Sequence, residues 1–153
     1  MHCICPPPQE KAISGFCEDY SHKSIISLPK KKSGEVFCAP FDVFLDEHSN
    51  AVQPDLLFIS NENSYILDAY ETVHGVPDLI IEILSPGNRQ FDEVLKKALY
   101  EKFGVKEYWI IDPDTLKAEG YFYQNQHFIP LGIFSGKISS RLLDHDFSFT
   151  DLT

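Results

Sequence analysis

Basic residues are scarce in this chain: 13 Lys and Arg stand against 23 Asp and Glu, for a formal net charge of −10 at pH 7. Gripping nucleic acid by counterion release needs clustered Lys or Arg. A surface that coats DNA generally is therefore excluded, and any contact with DNA must come from a local patch. Long apolar runs are also missing. No stretch approaches the ~18 residues of a membrane-spanning helix, and Met1 to Pro8 lacks the charged and apolar regions of a signal peptide. Cysteine is confined to Cys3, Cys5, Cys17 and Cys38, with no C-x-x-C pair and no His at zinc-finger spacing. That pattern argues against a zinc site and reads as free thiols in a reducing cytoplasm. There is no phosphate-cradling glycine loop and no G-x-S-x-G elbow. The six histidines, His2, His22, His48, His74, His127 and His145, show no helical pair spacing.

What remains is enough for one domain spanning residues 1–153, with 43% hydrophobic residues to build a core. Its most informative stretch is Pro77-Asp78-Leu79-Ile80-Ile81-Glu82-Ile83-Leu84-Ser85-Pro86. A short β-branched run between prolines predicts a strand buried on both faces. A glutamate inside such a strand needs a partner, because an unpaired buried charge costs several kcal/mol or is neutralised. The partner of Glu82 is either a structural cation or a functional group, and the strand alone leaves both open.

Other elements follow from periodicity. Val36 to Asp46 and Asp55 to Ile59 read as strands of a hairpin, with a polar turn at His48-Ser49-Asn50. Tyr65 to Tyr70 reads as a short helical turn. Phe91 to Phe103 has helical spacing, stopped by Gly104. Apolar positions Phe91, Val94, Leu95, Ala98, Leu99 and Phe103 mark its expected buried face. Glu107 to Asp112 predicts a strand, then Leu116 to Tyr123 and His127 to Ile133 a meander. Residues 138–153 form a packing tail. Gln9 to Ile13 opens an expected helix within residues 9–28, and Lys30-Lys31-Lys32 is a solvated turn. The order implies an α/β (α+β) fold with a mixed central sheet and helical cover.

The acids then suggest chemistry. Alternation sets Asp78, Ile80, Glu82 and Leu84 on one face of their strand. If the strand that opens at Asp55 is its neighbour, Asp55 and Glu82 converge, with Asp78 on the same side. Two or three carboxylates at a cavity favour a hard cation such as Mg²⁺. On the helix, Asp92, Lys96 and Tyr100 share a stripe, with Lys97 pointing away into solvent. Lys96 can then reach over the sheet edge to orient a metal-bound water or offset charge on phosphorus. The alternative is an Asp92–Lys96 surface pair worth a few tenths of a kcal/mol.

Five segments occur in order: Val36-Phe37-Cys38-Ala39-Pro40-Phe41-Asp42-Val43, Val52-Gln53-Pro54-Asp55, Gly75 to Pro86, Asp92…Lys96…Tyr100, and Gly104-Val105-Lys106-Glu107-Tyr108-Trp109. Together they resemble the Uma-type family of restriction-endonuclease-like proteins, within the PD-(D/E)XK nuclease superfamily. The resemblance runs from about Gly34 to the C-terminus. It implies a restriction-endonuclease-like central mixed sheet flanked by helices and Mg²⁺-dependent hydrolysis of DNA phosphodiester bonds, with Mn²⁺ as a substitute. By position, Asp55 resembles the proline-preceded metal ligand and Glu82 the second acidic ligand, with the Ile83 carbonyl as a further oxygen. The superfamily lysine, two residues after that acid, is replaced by Leu84 here, and the family's helical lysine matches Lys96. Residues 1–33 match poorly and read as divergent or truncated. The competing reading is a non-catalytic interaction module on the same fold, favoured by the acidic charge and by Leu84. Tyr108, Trp109, Tyr121, Phe122, Tyr123 and Phe128 could serve as a homodimer surface or as core.

Overall fold

The computed structural model describes residues 33–70, 72–85 and 89–149, together with the strands Gly15–Glu18 (β1) and Ile25–Leu28 (β2). β1 and β2 pair antiparallel, so the helix expected over residues 9–28 is a hairpin where it is described. Gln9 to Ile13, Lys30 to Lys32 and Pro86 to Asn88 lie outside the described residues. Poor apolar spacing around Ser14-Gly15 already counted against a helix there, and strand pairing satisfies the same backbone groups.

The remaining strands are β3 (Gly34–Cys38), β4 (Val43–Phe44), β5 (Ala51–Val52), β6 (Leu56–Ser60), β7 (Val73–His74), β8 (Leu79–Ile83), β9 (Glu107–Asp112), β10 (Lys117–Gln124), β11 (His127–Ser135), β12 (Lys137–Ser140) and β13 (His145–Ser148). Six of them form the central sheet in the order β11-β10-β9-β8-β6-β3. Only β8 and β9 are parallel within it, joined through the helix α1 (Arg89–Phe103). A parallel pair needs such a crossover, whereas the antiparallel neighbours are linked by turns or loops. The two strands of the expected hairpin do pair, as β3 with β6, but the turn at His48-Ser49-Asn50 joins β4 to β5 instead. Between β3 and β6 the chain makes β4 and β5, which form a separate small sheet with β7. The turn expected at Tyr65 to Tyr70 is a 3₁₀ turn starting earlier, at Asn61–Ile66.

Side chains alternate cleanly across the sheet. Phe37, Leu57, Ile59, Ile80, Tyr108 and Ile110 face α1 in one core cluster, joined by Tyr100 from the helix. Leu56, Phe58, Leu79, Ile81, Trp109 and Ile111 fill the other, which the β12–β13 hairpin covers with Ile138 and Phe147. The C-terminal segment thus supplies the second layer as a hairpin, where the sequence shows only scattered apolar residues. Glu107 is buried on that side, accepting from Trp109 Nε1 at 2.7 Å and from the Leu142 amide at 2.7 Å. A Cβ at Gly120 would lie 2.4 Å from the Trp109 ring, so glycine is required for the indole to lie flat there. Tyr108, Trp109, Tyr121 and Phe128 are buried within their own chain, which makes them core and not a dimer surface.

Two further expectations are corrected. Cys38 is disulfide-bonded, so it is not a free thiol. On α1, Val94 and Leu95 are exposed, although helical spacing put them on the buried face. The sheet is instead met by the stripe that carries Lys96 and Tyr100, because the crossover fixes the rotation of the helix more strongly than its weak apolar pattern does. Two contacts lock that rotation. Lys97 lies 3.8 Å over the Tyr121 ring, not free in solvent, and Glu101 Oε2 accepts the Phe128 amide at 2.7 Å. Gly104, at φ +77°, ends the helix where a left-handed residue is needed. No helix among the described residues is long and apolar enough to cross a membrane.

Candidate active site

β8, an interior strand flanked by β6 and β9, carries the site. Its antiparallel register with β6 pairs Leu56 with Ile81 and Leu57 with Ile80. One step further along that register sets Asp55 beside Glu82 on the α1 side of the sheet. Pro54 is buried just before Asp55, at the point where the chain enters β6. The Asp55 carboxylate is fixed there by the Ile83 amide, which donates to Oδ2 at 2.7 Å.

Glu82 is 5% exposed and each of its oxygens has a donor. Lys96 Nζ lies 3.1 Å from Oε2, and the Tyr100 hydroxyl donates to Oε1 at 2.6 Å. Both donors come from the same stripe of α1, four residues apart. Burial pushes the Glu82 carboxyl up to about 7. The Lys96 ammonium and the Tyr100 hydrogen bond pull it down, and the nearby Asp55 charge pushes it up again. Tyr100 is held far above the ordinary phenol range, first by burial and then by the Glu82 charge, so it stays a donor. Beside Glu82 a pocket of about 50 Å³ opens, lined by Ser85, Glu93, Lys96 and Tyr108 among others. That is room for a few waters.

The sequence expectations can now be placed. Asp55, Glu82, the Ile83 backbone and Lys96 come together at one end of β8. The Asp92 side chain lies outside the described residues, and Lys96 is bonded to Glu82. Leu84 shares the Glu82 face and packs against the α1-side core, so the ammonium at this site comes from the helix. Asp78 does not join. It shares the Glu82 face by alternation, but four residues of strand separate them, about 13 Å. Asp78 is instead bound by Lys106, the Ser60 amide and Asn63 at the opposite end of the strand. Two site residues were missed. Glu93 lines the pocket, and only its place one turn before Lys96 hints at this. Tyr100 was noted on the stripe but given no role, although a tyrosine aligned with Lys96 is a signal that a buried hydroxyl needs an acceptor.

Residues 11–150 match the sequence model of the family described as "Uma2: Putative restriction endonuclease". This chain belongs to that family. Among solved structures, it is similar to a protein from Anabaena variabilis titled "a putative nuclease belonging to DUF820", at 22% identity and a TM-score of 0.49. The match covers 67% of this chain and 55% of that one, so the chain spans little over half the length of that relative. No curated protein matches the sequence.

The donor set can be weighed against a metal ion on its own chemistry. Among the described residues, no three His, Cys, Asp or Glu side chains converge into an all-protein cage. Glu82 and Glu93 line a small polar pocket, and Asp55 stands beside Glu82 on the neighbouring strand. Mg²⁺ is held in that way, by one or two carboxylates with several waters kept. The residues fit that ion and do not fit a cysteine–histidine zinc site.

Proposed function

We propose that this chain is a Mg²⁺-dependent endonuclease that hydrolyses phosphodiester bonds in DNA, with Mn²⁺ able to substitute. The observation that carries the reading is that Glu82, buried in the central strand, meets Asp55 from the adjacent strand and Lys96 from the crossover helix. Asp55 and Glu82 would hold the ion, with the Ile83 carbonyl as a further oxygen. When bound, the ion supplies a nucleophilic water at neutral pH and offsets charge on the scissile phosphate.

The rest is done by the chain. The Ile83 amide holds the Asp55 carboxylate at the end of β8. Glu82, with its carboxyl near 7, is ionised over the upper half of the physiological range. Lys96 is 35% exposed on a flexible stem. Once released from Glu82, its ammonium stays within reach of the pocket to orient the attacking water or stabilise developing negative charge. An acidic chain meets DNA poorly in general, so strand approach would depend on a local contact such as Lys96.

The test is cleavage of supercoiled plasmid in Mg²⁺. Activity that disappears in both Asp55→Ala and Lys96→Ala supports the enzyme, whereas cleavage surviving both changes removes these residues from the chemistry. A second reading, a non-catalytic module on the nuclease fold, is favoured by the direct Lys96–Glu82 ion pair, which satisfies the acid without any ion. Mg²⁺ binding with intact plasmid throughout would support it.

A further inference from the structure

Tyr100 is fully buried in the core that α1 shares with the sheet. Its ring packs edge-on against Tyr108 at 5.1 Å between centroids. Phenylalanine would fill that space as well, and a buried hydroxyl is unfavourable unless it is hydrogen-bonded. The hydroxyl does have one partner of consequence: it donates to Glu82 Oε1 at 2.6 Å, the short range expected of a bond to a charged acceptor. The second oxygen, Oε2, has a different kind of partner. Lys96 reaches it on a long, partly exposed side chain that can swing away. The pocket is lined by Glu82 and Lys96, and Tyr100 stands behind the carboxylate.

Taking Glu82 as a metal ligand, as proposed above, we infer that Tyr100 is its positioning residue, fixing the carboxylate so that Oε2 alone is offered to a divalent cation. Tyr100 cannot yield its place, since its ring is packed on all sides. Lys96 can, and it holds the position in front of Oε2 until a cation takes it. Glu82 would then offer a cation one oxygen, with the other kept on the tyrosine. Hydrogen-bond partners of ligating groups are worth about 10–100-fold in metal affinity. Tyr100→Phe removes the donor and keeps the ring.

The experiment is calorimetric titration of the full chain with Mg²⁺, alongside thermal melting of the metal-free protein. Tyr100→Phe is expected to weaken Mg²⁺ by about 10–100-fold, with Glu82→Gln abolishing binding. Unchanged Mg²⁺ affinity in Tyr100→Phe, with Glu82→Gln still inactive in binding, would make Tyr100 a packing residue only and leave Glu82 as a ligand. Unchanged affinity in Glu82→Gln would overturn both the ligand role and this inference. A second readout does not need the Tyr100→Phe variant to fold. Mg²⁺-induced infrared difference spectra, with the Glu82→Gln spectrum subtracted, should show the wide carboxylate splitting of one-oxygen ligation. The narrow splitting of two-oxygen ligation would overturn the inference.

Discussion

The two ends of β8 each bury a carboxylate, and they treat it in opposite ways. Asp78, 1% exposed, stands at the start of the strand, and Glu82, 5% exposed, near its end. Burial raises both. At Asp78 it is outweighed by Lys106 at 2.6 Å, the Ser60 amide at 2.8 Å and Asn63 at 3.2 Å, so the carboxyl ends below its ordinary value of 3.8. At Glu82 two donors face burial together with the charge of Asp55, and the carboxyl rises to about 7. Asp78 is a saturated acid that ties β8 to the Asn61–Ile66 turn and to the segment entering β9. Both acids line a pocket, of about 350 Å³ at Asp78 and about 50 Å³ at Glu82, but Glu82 is the undersupplied one. The difference shows that burial alone does not mark a functional carboxylate: the count and mobility of its donors do.

Exchanging the two acids for neutral residues should break the comparison most sharply. Glu82→Gln is expected to lower Mg²⁺-dependent cleavage by at least about 10³-fold, roughly 4 kcal/mol of barrier, with stability moving by no more than about 1 kcal/mol. Asp78→Ala should do the reverse. It strands an amide, a side-chain amide and an ammonium, and should cost about 3 kcal/mol in urea unfolding while the folded fraction still cleaves. Equal stability losses in the two variants would dissolve the distinction.

The pH dependence sharpens it. The folded protein keeps a proton on Glu82 up to about pH 7, one that an ordinary glutamate releases near 4.5. Stability from this group is therefore present at low pH and lost as pH rises from about 4.5 toward 7. Mg²⁺ needs the ionised form, so its affinity should rise about tenfold per pH unit below 7 and level off above. Asp78 runs the other way: its contribution is full above 3.8 and fades as pH falls through its lowered value. Calorimetry and melting from about pH 5 to 8 check the sign at Glu82, and melting from about pH 5 down to about 2 checks the sign at Asp78. The smallest effect is expected at Lys106→Ala. Its side chain is half-exposed, and losing it should cost about 1 kcal/mol after solvent screening, read by the same urea transition.

Much of this site was legible before any coordinates. Glu82 stood out because a charge in a β-branched run must be explained, and Asp55 because a proline set it at the head of another strand. The stripe of Lys96 and Tyr100 followed from helical spacing. Asp78 was misplaced because alternation fixes the face of a residue but not its distance along the strand. The exposure of Val94 and Leu95 was hidden for a related reason: the crossover connection and the anchors at Lys97 and Glu101 set the helix rotation, and these contacts are distant in sequence. The β1–β2 hairpin and the C-terminal β12–β13 layer carried weak local patterns, and tertiary pairing decided them.

The most direct test is anomalous diffraction from crystals soaked in Mn²⁺. The expected result is a metal peak between Asp55 and Glu82, in bonding contact with Glu82 Oε2, with Lys96 displaced from that oxygen. A protein that cleaves DNA while its only metal peak lies elsewhere, or with Lys96 still seated on Glu82, would contradict the account.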